Sequence, residues 1–247
     1  MSALSDNEAL PPLALLAGGL ATRLHPITAA TPKSMIQVAG EPFIAHQLRM
    51  LVRQSITEVV LCTGFLSEQI ESFVQDGARF GCHVHYSRDG DRPLGTGGAL
   101  RRALPLLGER FMVMYGDSYL RTFLRPVYAA FRASGRPALM TVYRNVDRFD
   151  KSNVEFVDGV IRRYDKVHHT AAMLHIDYGL GVLDASVLSA TPTDVAFDLA
   201  NLYQELANRD LLGGYEVSER FYEIGSATGL AETDAFLRMT SDDRSKD

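Results

Sequence analysis

The sequence predicts an α/β fold: a Rossmann-like mixed, mainly parallel sheet with helices on both faces and a β-rich insertion. In the first half, short apolar runs alternate with helical patterns, which is typical of strands and crossover helices in a parallel sheet. In the second half, apolar runs follow one another closely and are joined by turns such as Asp158-Gly159, which favours antiparallel hairpins. The 247 residues are 46% hydrophobic and 22% charged and contain no linker-like tract, so we expect a single domain over 1–247.

The first half, about residues 10–125, carries the alternation of strands and helices. Pro42 suits the first turn of a helix, and apolar residues at 44, 48 and 51 follow at the spacing of one helical face. Ser67 is a typical helix N-cap. The predicted strands cover 13–17, 58–62, 83–86 and 111–115, and the predicted helices begin at Pro42, run from Ser67 to about Phe73, and run from Ala99 to Leu107.

The second half, about residues 126–230, is predicted to be richer in strands. Its apolar runs are rich in residues that favour strands, and two helical patterns follow them. Residues 240–247 lack apolar side chains and are predicted to form a disordered tail. The predicted strands cover 138–143, 154–157, 160–163 and 173–183, and the predicted helices cover 199–208 and 230–239.

Net charge and cysteine usage limit the classes of partner and compartment. The formal net charge is −5 and the lysines and arginines are scattered, so we expect no nucleic-acid partner. The N-terminal region has the features of neither a signal peptide nor a membrane span, so we expect no membrane partner. Cys62 and Cys82 each lie in an apolar strand-like run, which favours reduced core thiols and a cytoplasmic protein.

A phosphate-binding loop is predicted directly after the first strand. Residues 16–19 (Leu-Ala-Gly-Gly) offer backbone amides, and the cations Arg23 and Lys33 follow closely. A glycine pair after a strand is more often an ordinary turn, but a turn alone does not account for the neighbouring cations. Neither G-x-x-x-x-G-K-[ST] nor G-x-G-x-x-G occurs, which argues against a P-loop NTPase and a dinucleotide dehydrogenase.

Asp117 comes shortly after the predicted strand at 111–115. It is either part of a turn or an acid that faces the same crevice as the loop at residues 16–19.

The motif from Leu15 to Thr28, followed by Pro32-Lys33, resembles the first motif of the sugar-1-phosphate nucleotidyltransferases, L-x-A-G-G-x-G-T-R-L-x-P-x-T. Ala21 stands where that family usually has glycine. The resemblance is strongest to short members such as heptose 1-phosphate guanylyltransferases and N-acetylmuramate 1-phosphate uridylyltransferases. It implies a Mg²⁺-dependent enzyme of the guanylyl- or uridylyltransferase class (EC 2.7.7) that transfers a nucleoside monophosphate from a nucleoside triphosphate to a sugar 1-phosphate and releases pyrophosphate.

The resemblance also implies roles for individual residues. Glu223 stands where the family's second metal-binding aspartate is common, and the segment from Pro93 to Leu100 resembles the family's L-G-T-[AG]-G-A segment beside the nucleobase. The implied catalytic residues are Arg23, Lys33 and Asp117, and the implied metal ligands are Asp117 and Glu223. The implied nucleotide-binding residues are Leu16, Ala17, Gly18, Gly19, Arg23, Asp89, Gly95 and Thr96. The implied sugar-phosphate-binding residues, in the β-rich sugar-binding insertion, are Asn153, Asp165, Lys166 and Tyr178.

Several alternatives stay open on the sequence alone. The same fold is compatible with a non-catalytic regulatory protein that binds nucleotide sugars, although the charged residues expected for catalysis are all present. The nucleobase, the sugar and the choice between a monomer and a homo-oligomer are not distinguished. His168 and His169 have no cysteine or carboxylate at metal-ligand spacing, so a polar loop is the simpler interpretation of that pair.

Overall fold

A nine-stranded sheet lies at the centre of the molecule. The computed structural model describes residues 9–19 and 30–244, with side chains up to residue 240. The strands are β1 (Leu13–Leu16), β2 (Gln37–Val38), β3 (Glu41–Pro42), β4 (Glu58–Thr63), β5 (His83–Arg88), β6 (Arg110–Tyr115), β7 (Ser118–Tyr119), β8 (Ala138–Arg144), β9 (Val154–Val157), β10 (Val160–Tyr164), β11 (His175–Asp184), β12 (Leu212–Val217) and β13 (Tyr222–Glu223). The helices are α1 (Phe43–Arg53), α2 (Ser67–Val74), α3 (Gly95–Leu107), α4 (Leu124–Ser134), α5 (Ser186–Ser189), α6 (Leu199–Asn208) and α7 (Ala227–Arg244).

The strand order across the sheet is β5-β4-β1-β6-β11-β8-β12-β10-β9. The first four strands are mutually parallel, and β11 is antiparallel to both of its main neighbours, β6 and β8. Beyond β11, β12 is parallel to β8, whereas β10 is antiparallel to β12 and to β9. The predicted α/β fold is confirmed, and one continuous sheet crosses both halves of the chain.

Both faces of the sheet are covered by apolar side chains, as the strand sequences require. Leu13 and Leu15 of β1 are fully buried on the face that packs against α1, α2, α4 and α7. Ala14 points to the other face, where α3, α5 and α6 pack. Because successive side chains of a strand alternate between faces, a central strand covered on both sides is an uninterrupted apolar run.

Among the elements of six or more residues, α4 and β12 have no counterpart among the predicted elements. The helix α4 carries Pro126 in its first turn, where proline is tolerated, and buries apolar side chains at 124, 127 and 131. The strand β12 contains Gly213 and Gly214, which favour a turn in a sequence pattern. A methyl group on Gly214 would lie 2.6 Å from the Phe156 ring, so the glycine makes room for that ring.

Several helix boundaries also differ from the predicted ones. The helix α3 begins at Gly95 rather than at Ala99, because its glycine-rich first turn packs against the Phe197 backbone. The helix α7 continues to Arg244, into the region expected to form a disordered tail from residue 240, and that tail stays a prediction. Residues 245–247 lie outside the described part. No helix within 9–19 and 30–244 is long and apolar enough to cross a membrane.

The two cysteines are buried in opposite faces of the sheet, and their thiols are free. Burial raises the pKa of Cys62 to about 12 and that of Cys82 to about 11. An unfolded thiol has a pKa of about 8.5, so we expect native Cys62 to react with a disulfide reagent about three orders of magnitude more slowly than in denaturant at about pH 8. Spectrophotometric thiol titration measures this, and a fast-reacting native thiol would contradict the packing.

Candidate active site

A cavity of about 480 Å³ opens at the carboxyl ends of β1, β4, β5 and β6. Strands that run in parallel end at the same edge of a sheet, and α/β folds bind their ligands at this edge. The residues lining the cavity are Leu16, Ala17, Gly18, Gly19, Lys33, Ser34, Cys62, Asp89, Pro93, Gly95, Thr96, Ala99, Tyr115, Gly116, Asp117, Lys166 and Asp198.

Backbone segments approach closely on the β1 side of the cavity. The Ala17 amide donates to Cys62 O at 2.8 Å, and the Gly116 amide donates to Leu16 O at 3.0 Å. A methyl group on Gly116 would overlap Leu16 O, whereas one on Gly19 would meet no atom of the described residues within 4 Å. Glycine is therefore required at 116 by packing between strands, while Gly19 leaves open space in the cavity.

An ion pair joins the segment that follows β1 to the residues that follow β6. Lys33, in a short 3-10 helix (Lys33–Met35), lies with its Nζ 2.6 Å from Asp117 Oδ2. Asp117 follows β6, and its other oxygen accepts from Ser118 Oγ at 3.2 Å. The Lys33 and Asp117 side chains retain 18% and 36% of their exposure, so both charges remain accessible from the cavity.

Glu223 lies beside this ion pair because β13 pairs with β7, which places Glu223 opposite Ser118. Its carboxylate accepts from the Gly225 amide and from Ser226 Oγ, the latter at 2.7 Å. A methyl group on Gly225 would lie 2.5 Å from Glu223 Oε2, 3.0 Å from Lys33 Nζ and 3.6 Å from Asp117 Oδ2. Three charged groups therefore converge around one glycine.

This donor set fits Mg²⁺ when a substrate is also bound. Mg²⁺ usually takes one or two protein carboxylates and completes its octahedral shell with water and substrate phosphate oxygens. Asp117 and Glu223 supply two carboxylates. In the described residues no group of three or more His, Cys, Asp or Glu side chains is arranged to hold a metal ion, so a fully protein-made metal site is not found there.

A second cavity of about 480 Å³ lies next to the first and shares Tyr115 and Asp117 with it. Asp177 lines it and accepts from the Tyr115 hydroxyl at 3.1 Å, the Tyr164 hydroxyl at 3.3 Å and the Gly179 amide at 2.9 Å. Burial raises the pKa of Asp177, while the positive charge of Lys166 and these hydrogen bonds oppose the rise. The other lining residues include Ser118, Phe149, Asp150, Ile176, Tyr178, Gly179, Arg220, Phe221, Glu223, Gly225, Ser226, Thr228, Gly229 and Glu232.

The family model for nucleotidyl transferases matches residues 14–153 of this chain, which include Lys33, Asp89 and Asp117. The chain belongs to the nucleotidyl transferase family. An N-acetylmuramate alpha-1-phosphate uridylyltransferase from Neisseria meningitidis is 39% identical over 104 residues, 42% of this chain and 45% of that protein. A glucose-1-phosphate thymidylyltransferase from Streptomyces antibioticus is 35% identical over 133 residues, 53% of this chain and 37% of that protein. The chain thus spans less than half the length of either relative.

The fold of this chain is also similar to solved structures. A Bacillus anthracis crystal structure, described as a glucose-1-phosphate thymidylyltransferase in complex with a sucrose, superposes with a TM-score of 0.81. It is 23% identical in sequence, and the match covers 93% of this chain and 96% of that one. At this level of identity the similarity shows the fold alone.

Most residues predicted for nucleotide binding and catalysis lie together in the first cavity of this family member. Ten predicted site residues line it: Leu16, Ala17, Gly18, Gly19, Lys33, Asp89, Gly95, Thr96, Asp117 and Lys166. The Thr96 hydroxyl, however, donates to Asp198 Oδ1 at 2.9 Å and accepts from the Leu199 amide at 2.8 Å. Arg23 and Ala21 lie outside the described residues.

The residues predicted for sugar phosphate binding are more scattered. Tyr178 lines the second cavity, but its hydroxyl accepts from the Arg121 amide at 2.9 Å and its ring is buried in the core. Asp165 lines neither cavity, and its carboxylate caps a turn by accepting from the Val167 and His168 amides, which lowers its pKa. Asn153 also lines neither cavity and accepts from the Asp177 amide at 3.2 Å. Their roles in binding stay predictions.

Many lining residues are absent from the predicted site, among them Ser34, Tyr115, Asp198 and Arg220. Asp198 could have been found, since an aspartate directly before an apolar helical run is a typical N-cap and here accepts from the Ala200 amide. Arg220 carries no local signal, because its guanidinium reaches the cavity by packing 4.2 Å from the Phe149 ring centroid, far away in the chain.

The close approach at Gly116 gives a test of the cavity's backbone geometry. We expect Gly116→Ala to destabilise the protein by about 1–3 kcal/mol, because the added methyl group overlaps Leu16 O between two packed strands. Gly19→Ala is the matched control and should change the free energy of unfolding by less than about 0.5 kcal/mol. Denaturant unfolding of both variants measures the difference, and equal stabilities would contradict the described strand contact.

Proposed function

We propose that this protein transfers a nucleoside monophosphate from a nucleoside triphosphate to a sugar 1-phosphate and releases pyrophosphate. One observation carries the proposal: Lys33, Asp117 and Glu223 converge where two cavities of similar volume meet. The first cavity is lined mainly by the half at about 10–125, which we assign to the nucleotide. The second is lined mainly by the half at about 126–230, which we assign to the sugar.

The proposed reaction needs charge cancellation more than proton transfer. A phosphate monoester has a second pKa of about 6, so the attacking oxygen is largely ionised near neutral pH and requires no general base. The difficulty is to hold two anions in line at the α-phosphorus, which positioning and cationic side chains achieve. Lys33 and Lys166 line the cavity and supply positive charge there. We assign Arg23 to the leaving pyrophosphate on the strength of the sequence motif.

We propose that Asp117 and Glu223 hold Mg²⁺, which when bound adds positive charge to the phosphates. The chain's own contacts orient these carboxylates. Lys33 Nζ holds Asp117 Oδ2, and the Gly225 amide together with Ser226 Oγ holds the Glu223 carboxylate. Both acids are therefore fixed before a substrate arrives, which is the preorganisation that electrostatic catalysis requires.

The names of the two relatives support a nucleotide-sugar product, since one is a uridylyltransferase and the other a thymidylyltransferase acting on sugar 1-phosphates. For this chain we propose the guanylyl- or uridylyltransferase class and a cytoplasmic location, the latter because both thiols are free and buried. Pyrophosphate release over a matrix of triphosphates and sugar 1-phosphates with Mg²⁺ tests the activity. Binding of a nucleotide sugar without turnover of any pair would instead favour a regulatory protein.

The charge on Asp117 gives the first mutational test. Asp117→Asn keeps the size of the side chain and removes the charge, and we expect turnover to fall about 100-fold to 1,000-fold, equivalent to about 3–4 kcal/mol. Asp184→Asn, which alters a surface ion pair with Arg110, is the matched control and should leave turnover unchanged. Steady-state pyrophosphate release measures both variants, and circular dichroism checks their folding. An Asp117→Asn enzyme with more than about a tenth of the native rate would refute the assigned role.

The space around Gly225 gives a second test. In Gly225→Ala the methyl group would displace the Glu223 carboxylate, and a misplacement of about 1 Å in such a site costs about 100-fold in turnover. Gly213→Ala is the control, because a methyl group there meets only ordinary contacts at 3.5 Å outside both cavities. Turnover at saturating Mg²⁺ is the measurement, and unchanged turnover in Gly225→Ala would remove Glu223 from the proposed site.

A further inference from the structure

Asp89 lies at the opposite end of the first cavity from the charged cluster. It follows β5 directly, whereas Asp117 follows β6, and β4 and β1 lie between these strands. Neighbouring strands are spaced by about 4.8 Å, so three spacings put the two acids about 14 Å apart along the edge. The cavity therefore has a cationic end near Lys33 and a second end where the Asp89 carboxylate faces small and apolar residues, namely Cys62, Pro93, Gly95 and Ala99. Asp198 also lines the cavity, but its Oδ1 already accepts from the Thr96 hydroxyl and from the Ala200 amide, both at 2.9 Å.

This polarity fixes the direction in which a nucleotide can lie. Phosphates are anions, so they occupy the end with Lys33 and Lys166 and are repelled from Asp89. The uncharged part of the nucleotide, its base, then faces Asp89. Gly95 and Ala99 carry little or no side chain, which leaves room for a flat ring beside the backbone.

Asp89 is buried yet sparsely partnered. It keeps 7% of its exposure, and in the described part of the chain its carboxylate has no cation within ion-pair distance and one hydrogen bond, from the Leu94 amide at 3.1 Å to Oδ2. Burial raises its pKa, and the Leu94 amide and the charge of Arg102 oppose the rise. A buried carboxylate with so few donors has unused acceptor capacity.

The position of Asp89 is rigid, as a selective contact requires. Its amide donates to Thr63 O at 2.9 Å, which extends the pairing of β5 with β4 by one residue. Arg102 Nη1 donates to the carbonyl oxygen of Arg88 at 2.8 Å and to that of Asp89 at 2.5 Å. Backbone contacts on both sides thus hold the carboxylate without occupying its free oxygen.

An ionised carboxylate is an acceptor only, and the bases differ in what they offer to it. Guanine presents two adjacent donors, N1–H and N2–H, to which a carboxylate can pair with two charge-assisted hydrogen bonds. Uracil and thymine present one donor between two carbonyl oxygens, which a carboxylate repels, and adenine and cytosine each pair one donor with an acceptor. We infer that Asp89 selects guanine, so that the preferred nucleotide of this site is GTP. The inference rests on the proposed function for the orientation of the nucleotide.

The experiment compares wild-type protein, Asp89→Asn and Asp91→Asn with GTP, UTP, dTTP, ATP and CTP. In Asp89→Asn the side-chain amide would offer its oxygen to the Leu94 amide and its NH₂ group to the base, a pattern suited to uracil. Asp91 is exposed in the same loop, so its variant is the matched control. Equilibrium binding of each triphosphate without sugar is measured beside kcat/KM for pyrophosphate release, with thermal unfolding as a check on folding.

We expect wild type and Asp91→Asn to prefer GTP over UTP by at least about tenfold, and Asp89→Asn to lose about tenfold to 100-fold in GTP affinity while UTP affinity stays or rises. Wild-type preference for UTP or dTTP, or a GTP preference that survives in Asp89→Asn, overturns the inference. Turnover absent with every substrate pair defeats the proposed function, while the binding preference still decides the role of Asp89. Failure to bind any triphosphate overturns both.

Discussion

The ion pair between Lys33 and Asp117 is the interaction on which the rest of the site depends. It ties the segment after β1 to the end of β6, and both charges remain accessible from the cavity. Without Lys33, Asp117 would lose this ion pair, and Asp117 and Glu223 would face each other and an incoming polyphosphate with one positive charge fewer. The lysine thus allows two carboxylates to lie at the point where anionic substrates must meet.

Sheet geometry explains why these groups meet although they are far apart in the sequence. Four parallel strands end at one edge, and each contributes one part of the cavity wall. Residue 223 lies far along the chain, and the short pairing of β13 with β7 places it beside the end of β6, next to the same cavity. Long-range strand pairing, rather than local sequence, positions the second acid.

The sequence predicted the fold class and the first cavity well because both depend on local patterns. A buried parallel strand is an apolar run, and a glycine pair with nearby cations marks its end. The second cavity was harder to predict. Asp165 resembled a ligand, yet its carboxylate is used by the amides of its own turn, and Arg220 reaches the cavity only through aromatic rings distant in sequence. Such positions follow from packing between elements, which no short motif records.

The ten-residue strand β11 has a mechanical consequence for substrate entry. It is hydrogen-bonded to β6 on one side and to β8 on the other, with its register shift confined to the stretch between Asp177 and Gly181. Because the two halves of the chain share this strand's neighbours in one sheet, they cannot separate about a hinge without breaking central hydrogen bonds between strands. We therefore expect any opening and closing around substrates to come from peripheral loops. The sheet keeps the distance between the two cavities constant.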